Sequence, residues 1–218
     1  MTLTYDLFWS FRSPYSYMIT PRLVALERDY DVRGVIRPVY PLAVRTPEFF
    51  ETRDPLWFPY LMMDVYREAA FLGLPFRWPM PDPVKMDFAT RTYPKEQPHI
   101  HRLTRMGVAA AERGKGLDYL HAVSHTLWSG TVDNWHEGDH LDRAAELAGL
   151  DPAELSAAAD TEADRLHAVI EESQAAQRAA GHWGVPMIAF NGEPFFGQDR
   201  FDQFKWRLEQ QGLKRRGV

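Results

Sequence analysis

Residues 3–9, Leu-Thr-Tyr-Asp-Leu-Phe-Trp, form a short apolar run that ends four positions before a serine–proline pair, Ser13-Pro14. Its β-branched and aromatic content predicts a buried strand. Beyond the pair, Tyr15, Met18, Ile19, Leu23 and Leu26 recur at helical spacing, which predicts a helix over residues 14–30 with one buried face. Ser13 then stands at the N-cap and Pro14 at the first helical position, where the N–H that proline lacks would have had no partner anyway. A strand, turn and helix of this kind aim a hydroxyl and several unpaired backbone N–H groups at one point, with the positive end of the helix dipole behind them. Pro21 removes the bond to the Tyr17 carbonyl and predicts a kink within the helix.

Residues 32–40 read as a second strand, parallel to the first if the helix crosses over between them. The chain then changes character. Residues 46–57 read as a loop and 56–72 as a helix. Six prolines from Pro75 to Pro98 predict an extended connector. Helical patterns follow at 99–114, 117–128, 139–148 and 161–180, with a short helix opened by Asp151-Pro152. Gly184-Val185-Pro186 leads into a strand over 187–191. Asn191-Gly192 is a hairpin signal, 193–196 its partner strand and 199–208 a closing helix. This order predicts an α/β, thioredoxin-like fold with a large all-helical insertion. Residues 1–45 and 181–218 would form a discontinuous thioredoxin-like domain, and 46–180 the helical insertion.

The totals narrow the function. A formal net charge of −5, with no basic stripe beyond Lys214-Arg215-Arg216, gives no footprint for nucleic acid. No segment has the length of a membrane span and the N-terminus lacks a leader pattern, so a cytoplasmic location is expected. The chain has no cysteine, which excludes disulfides, thiolate ligands and dithiol exchange by its own side chains. His136-Glu137-Gly138-Asp139-His140 matches the zinc-protease pattern literally, but that chemistry needs both histidines on one face of a continuous helix. Gly138 interrupts it and Asp139 reads as a helix start, so no metal site is expected. His121 and His125 share a helical face, yet no third ligand is evident.

The segment Ser13-Pro14-Tyr15-Ser16, together with Gly184-Val185-Pro186 and Asn191 through Arg200, resembles the matching segments of 2-hydroxychromene-2-carboxylate isomerases and kappa-class glutathione transferases. These are DsbA-like thioredoxin folds with a helical insertion. The resemblance covers both ends well and the middle loosely. It implies a cytoplasmic, glutathione-binding homodimer acting on a small aromatic substrate. It implies further that Ser13 contacts the glutathione sulfur, that Val185 pairs backbone to backbone with the cysteinyl part, and that Pro186 is cis. Gln198 and Asp199 would hold the γ-glutamyl end. Two departures stand out: the family often has serine where this chain has Gln198, and no lysine occurs between Arg45 and Arg67 where relatives supply one to glutathione. Arg45 and Arg53 are the candidates to replace it, and the absence also admits another low-molecular-weight thiol.

A serine hydroxyl is un-ionised near neutrality, and no base stands beside Ser13 in sequence, so the nucleophile expected is the thiol. Its ordinary pKa of about 8.5 would be lowered by a hydroxyl donor and a helix N-terminus. The expected activity is glutathione-dependent cis–trans isomerisation of 2-hydroxychromene-2-carboxylate or a related intermediate. A kappa-like transferase and a non-catalytic thiol or small-molecule binding protein on the same scaffold are the alternatives. Each residue also has a plainer reading: Ser13 as a simple N-cap, Asp199 as the cap of the last helix, and aromatics such as Trp9, Tyr15, Tyr40, Trp57, Phe58 and Trp183 as core rather than pocket lining.

Overall fold

A computed structural model describes residues 2–51, 53–87 and 92–217, without the side chain of Glu51. Strand β1 (Leu3–Trp9) and helix α1 (Pro14–Asp29) are followed by β2 (Val32–Pro38), then by two single-turn helices, α2 (Leu42–Arg45) and α3 (Glu48–Glu51), and α4 (Trp57–Phe71). The helical stretch continues with α5 (Ile100–Glu112), α6 (Gly116–Trp128), α7 (His140–Leu147), α8 (Pro152–Thr161) and α9 (Ala163–Ala179). The hairpin β3 (Met187–Phe190) and β4 (Glu193–Phe196), a 3₁₀ turn (Gln198–Arg200) and α10 (Phe201–Gln210) close the chain.

The sheet has the order β2-β1-β3-β4. β1 and β2 are parallel, from Leu3 opposite Val32 to Trp9 opposite Pro38, while β1–β3 and β3–β4 are antiparallel. The α/β, thioredoxin-like architecture with an all-helical insertion is therefore present. Alternation along β1 builds two layers, because successive side chains leave opposite faces of a strand. Tyr5, Leu7 and Trp9 join the main core, where Tyr5 meets Phe204 of α10 edge-on at 5.1 Å. Phe8 turns the other way, into a small cluster with Val39, Met187 and Ala189 against Ala176 of α9 and Ala180 just after it. The main core runs without a break from the sheet into α5, α6 and α8.

The 46–57 segment departs from the loop expected. It contains α3, a single turn fastened by bonds from Phe49 N to Thr46 O and from Phe50 N to Pro47 O. One turn is too short for a hydrophobic period to register in sequence. α1 continues through Pro21. In the proline-spaced connector, residues 88–91 lie outside the described residues. His140 opens α7 while His136 lies in the preceding turn, against His99 and Trp135, so the two histidines do not share a helical face.

Candidate functional site

The turn from β1 to α1 closes with Ser13 N donating to Ser10 O at 3.1 Å. Ser13 then takes extended backbone angles, φ −106° and ψ 115°, and its Oγ accepts from Ser16 N at 3.1 Å while Pro14 begins the helix. With one lone pair used by that capping bond, the hydroxyl hydrogen is directed outward. It is donated to Val185 O over 3.4 Å, a long bond between residues 172 positions apart. Ser13 is 9% exposed.

The Val185–Pro186 bond is cis, and the carbonyls around it are held one by one. Trp183 O accepts from Arg45 at 2.6 Å, Gly184 O from Gln177 Nε2 at 2.7 Å, and Pro186 O from Gly197 N at 2.9 Å. The Val185 N–H has no hydrogen-bond partner among the described residues. Clamped on both sides with one donor unused, Val185 presents backbone that an extended peptide can pair with. Gly184 is required by a close approach, since a Cβ there would lie 2.3 Å from the Phe196 ring, which stacks on His182 at 3.9 Å.

Gln198 and Asp199 follow Gly197, whose φ of +101° suits glycine. A Cβ on Gly197 would stand 2.4 Å from Asp199 Oδ1, so the bare backbone makes room for that carboxylate. Asp199 pairs with Arg200 at 3.0 Å and is 59% exposed. It does not cap α10: the cap position is Arg200, without a side-chain bond. Gln198 is buried, its Nε2 donating to Glu68 Oε2 at 2.7 Å, while its Oε1 is buried without a partner among the described residues. The exposed Asp199 carboxylate suits a ligand that brings an ammonium group.

The geometry thus joins Ser13 directly to Val185, and links Gln198 and Asp199 to them through the Pro186–Gly197 bond. It also brings in groups that the sequence reading did not single out. Asp64 of α4 accepts from Tyr15 OH at 2.5 Å and pairs with Arg67. Burial and that hydrogen bond push the Tyr15 hydroxyl well above the ordinary tyrosine range. Glu68, one turn further along α4, holds Gln198. Asp64 and Glu68 share the i, i+4 spacing that puts two side chains on one helix face, but the spacing alone does not say what that face meets.

Both arginines proposed in place of the lysine are engaged by groups of the chain itself. Arg45 spends its guanidinium on Gln177 Oε1 and Trp183 O, and burial, then nearby Arg178, lowers its pKa to about 10. Arg53 lies over the Phe49 ring at 3.5 Å and donates to Phe49 O. Of the aromatics, Trp9 and Tyr40 are buried core, while Phe58 and Trp183 are exposed.

No curated protein matches this chain. Among solved structures, a 2-hydroxychromene-2-carboxylate isomerase is 17% identical with a TM-score of 0.72, covering 96% of each chain. A probable DsbA oxidoreductase from Streptomyces coelicolor is 19% identical at TM-score 0.62, covering 95% of this chain and 89% of that one. The cytosolic disulfide reductase DsbM from Pseudomonas aeruginosa is 17% identical at TM-score 0.61, covering 96% and 98%. At these identities the likeness is one of fold. A family model for the DSBA-like thioredoxin domain matches residues 4–209, and the chain belongs to that family.

Proposed function

We propose that this protein is a glutathione-dependent cis–trans isomerase acting on 2-hydroxychromene-2-carboxylate or a related aromatic-degradation intermediate in the cytoplasm. One observation carries the reading: a serine hydroxyl at a helix N-cap faces a cis-proline backbone in a chain that has no cysteine. A thioredoxin-like site without its own sulfur suits a borrowed one. Glutathione, when bound, supplies a nucleophilic sulfur that adds to the conjugated substrate and is expelled again, so no oxidant or reductant is consumed. The Ser13 hydroxyl, turning from its long bond to Val185 O, donates toward that sulfur, and the N-terminus of the 16-residue α1 adds its partial positive charge. Val185 pairs with extended backbone, and Asp199 and Gln198 receive the γ-glutamyl ammonium. DsbM has been solved with GSH, which supports thiol binding on a related scaffold.

A non-catalytic thiol-binding protein is the reading favoured by the engagement of Arg45 and Arg53 elsewhere. Calorimetry with glutathione and S-methylglutathione, followed by optical assay of chromene isomerisation with and without glutathione, separates the two. Binding without conversion supports the binding protein, and no heat from either ligand sinks the glutathione reading.

The isomerase is proposed to act as a homodimer. Leu56, just before α4, and Tyr60, Met63 and Phe71 along it are exposed apolar side chains at helical spacing, with Leu56 at 76% and Phe71 at 82%. A set of this kind on a folded chain marks an interaction surface, and we assign it to the second copy. Met63→Glu is expected to convert the dimer to a monomer in light scattering. An unchanged mass would place any dimer interface elsewhere.

A further inference from the structure

The turn that carries Gln198 and Asp199 is not held by caps of its own. Gly197 has no side chain to cap the 3₁₀ turn, and Arg200, before α10, makes no capping bond. The hold comes instead from Arg22 of α1, 176 residues earlier in the chain. One of its terminal nitrogens donates to Gln198 O at 3.4 Å and the other to Asp202 Oδ1 at 2.7 Å. Its guanidinium carbon also lies 4.1 Å from the centre of the Phe201 ring. Contacts to residues 198, 201 and 202 fix the turn and the start of α10 against α1. This placement is particular to arginine, whose planar fork reaches two acceptors at once while its flat face rests on a ring.

The same helix presents Ser13 at its N-cap. Arg22 therefore ties the turn bearing the Asp199 carboxylate to the element bearing the Ser13 hydroxyl. Gln198 is held a second time, from α4, by its bond to Glu68 at 2.7 Å. Asp199 pairs only with its neighbour Arg200 among the described residues, so its position follows the backbone of the turn. Global stability gains little from the Arg22–Asp202 pair, because Asp202 is 83% exposed and pairs open to water contribute little. What Arg22 secures is the local geometry of one short segment.

We propose that Arg22 is a positioning residue: it sets the Asp199 carboxylate at the reach from Ser13 required by a ligand with an ammonium at one end and a sulfur further along. The inference rests on the proposed function, which supplies that ligand. The test is calorimetry with S-methylglutathione and with glutaryl-S-methylcysteinylglycine, the same molecule without its amino group. Arg22→Met is expected to raise the dissociation constant of S-methylglutathione about tenfold, the worth of one charge-assisted bond, and to leave that of the glutaryl analogue unchanged. Arg22→Lys, which keeps the charge without the fork, falls between Arg22→Met and wild type. In an Asp199→Ala background Arg22→Met has no further effect, as expected of residues acting through one contact. Hydrogen exchange at the amides of residues 197–202 in the ligand-free protein is faster in Arg22→Met. An equal loss on both probes would make Arg22 a structural prop and overturn the proposal, as would unmoved exchange or additive losses in the double variant. No binding of S-methylglutathione by wild type removes the proposed function and this inference with it. Binding by wild type that Arg22→Met leaves unchanged removes this inference alone.

Discussion

Ser13→Ala is expected to lower isomerisation about 10- to 100-fold near neutral pH, the worth of a hydrogen bond to a charged group. The Ser13 hydroxyl donates its hydrogen and so favours the ionised form of a sulfur placed before it. Its removal lets the thiol pKa drift back toward about 8.5. The sign follows directly. A pKa held down by Ser13 benefits the reaction most below the ordinary thiol value, so the deficit of Ser13→Ala is largest at low pH and shrinks as pH rises past it. A pH–rate profile with thiolate absorbance of the bound cofactor measures both effects. Loss of the capping bond to Ser16 N also costs about 1 kcal/mol of stability, or roughly 3 °C in Tm. Activity and profile matching wild type would remove Ser13 from the chemistry and leave it a cap.

The largest stability effect is expected at Trp128, at the far end of α6. Its side chain is fully buried, stacks on Phe76, meets Trp78 edge-on, and donates Nε1–H to Phe11 O at 3.1 Å. It therefore fastens the turn that presents Ser13 to the helical insertion. Trp128→Ala should destabilise by about 3–5 kcal/mol through loss of burial and the cavity left behind, lowering Tm by roughly 10 °C. Trp128→Phe keeps most of the packing and leaves Phe11 O without its donor, for a loss of about 1–2 kcal/mol. Chemical denaturation of the two variants separates the terms. Equal losses would mean that the hydrogen bond, not the packing, holds the turn.

Much of the fold was readable because its signals are local. The cap at Ser13-Pro14, the Asn191-Gly192 turn and the 3.6-residue period of the long helices each act over a few residues, and the structure has an element at each of them. The single turn α3 was not readable, since four residues carry no period. The candidate site was readable only in part. Ser13 announces itself through its capping chemistry, whereas Pro186 was marked only by the family resemblance. Asp64, Glu68 and Gln177 sit on helices, where a polar residue looks the same whether it faces water or a site.

The sequence by itself determined the element order and the absence of a sulfur of the chain's own, because strand and helix periods, caps and composition need no knowledge of distant residues. Only the tertiary structure decided what the arginines do. Arg45 and Arg53 looked interchangeable as cations for a ligand. Folding buries Arg45 against the Trp183 carbonyl and lays Arg53 on Phe49. A long charged side chain takes its partner from whatever polar atoms packing leaves unpaired within its reach, and those atoms lie more than a hundred residues away for Arg45 but one helical turn away for Arg53.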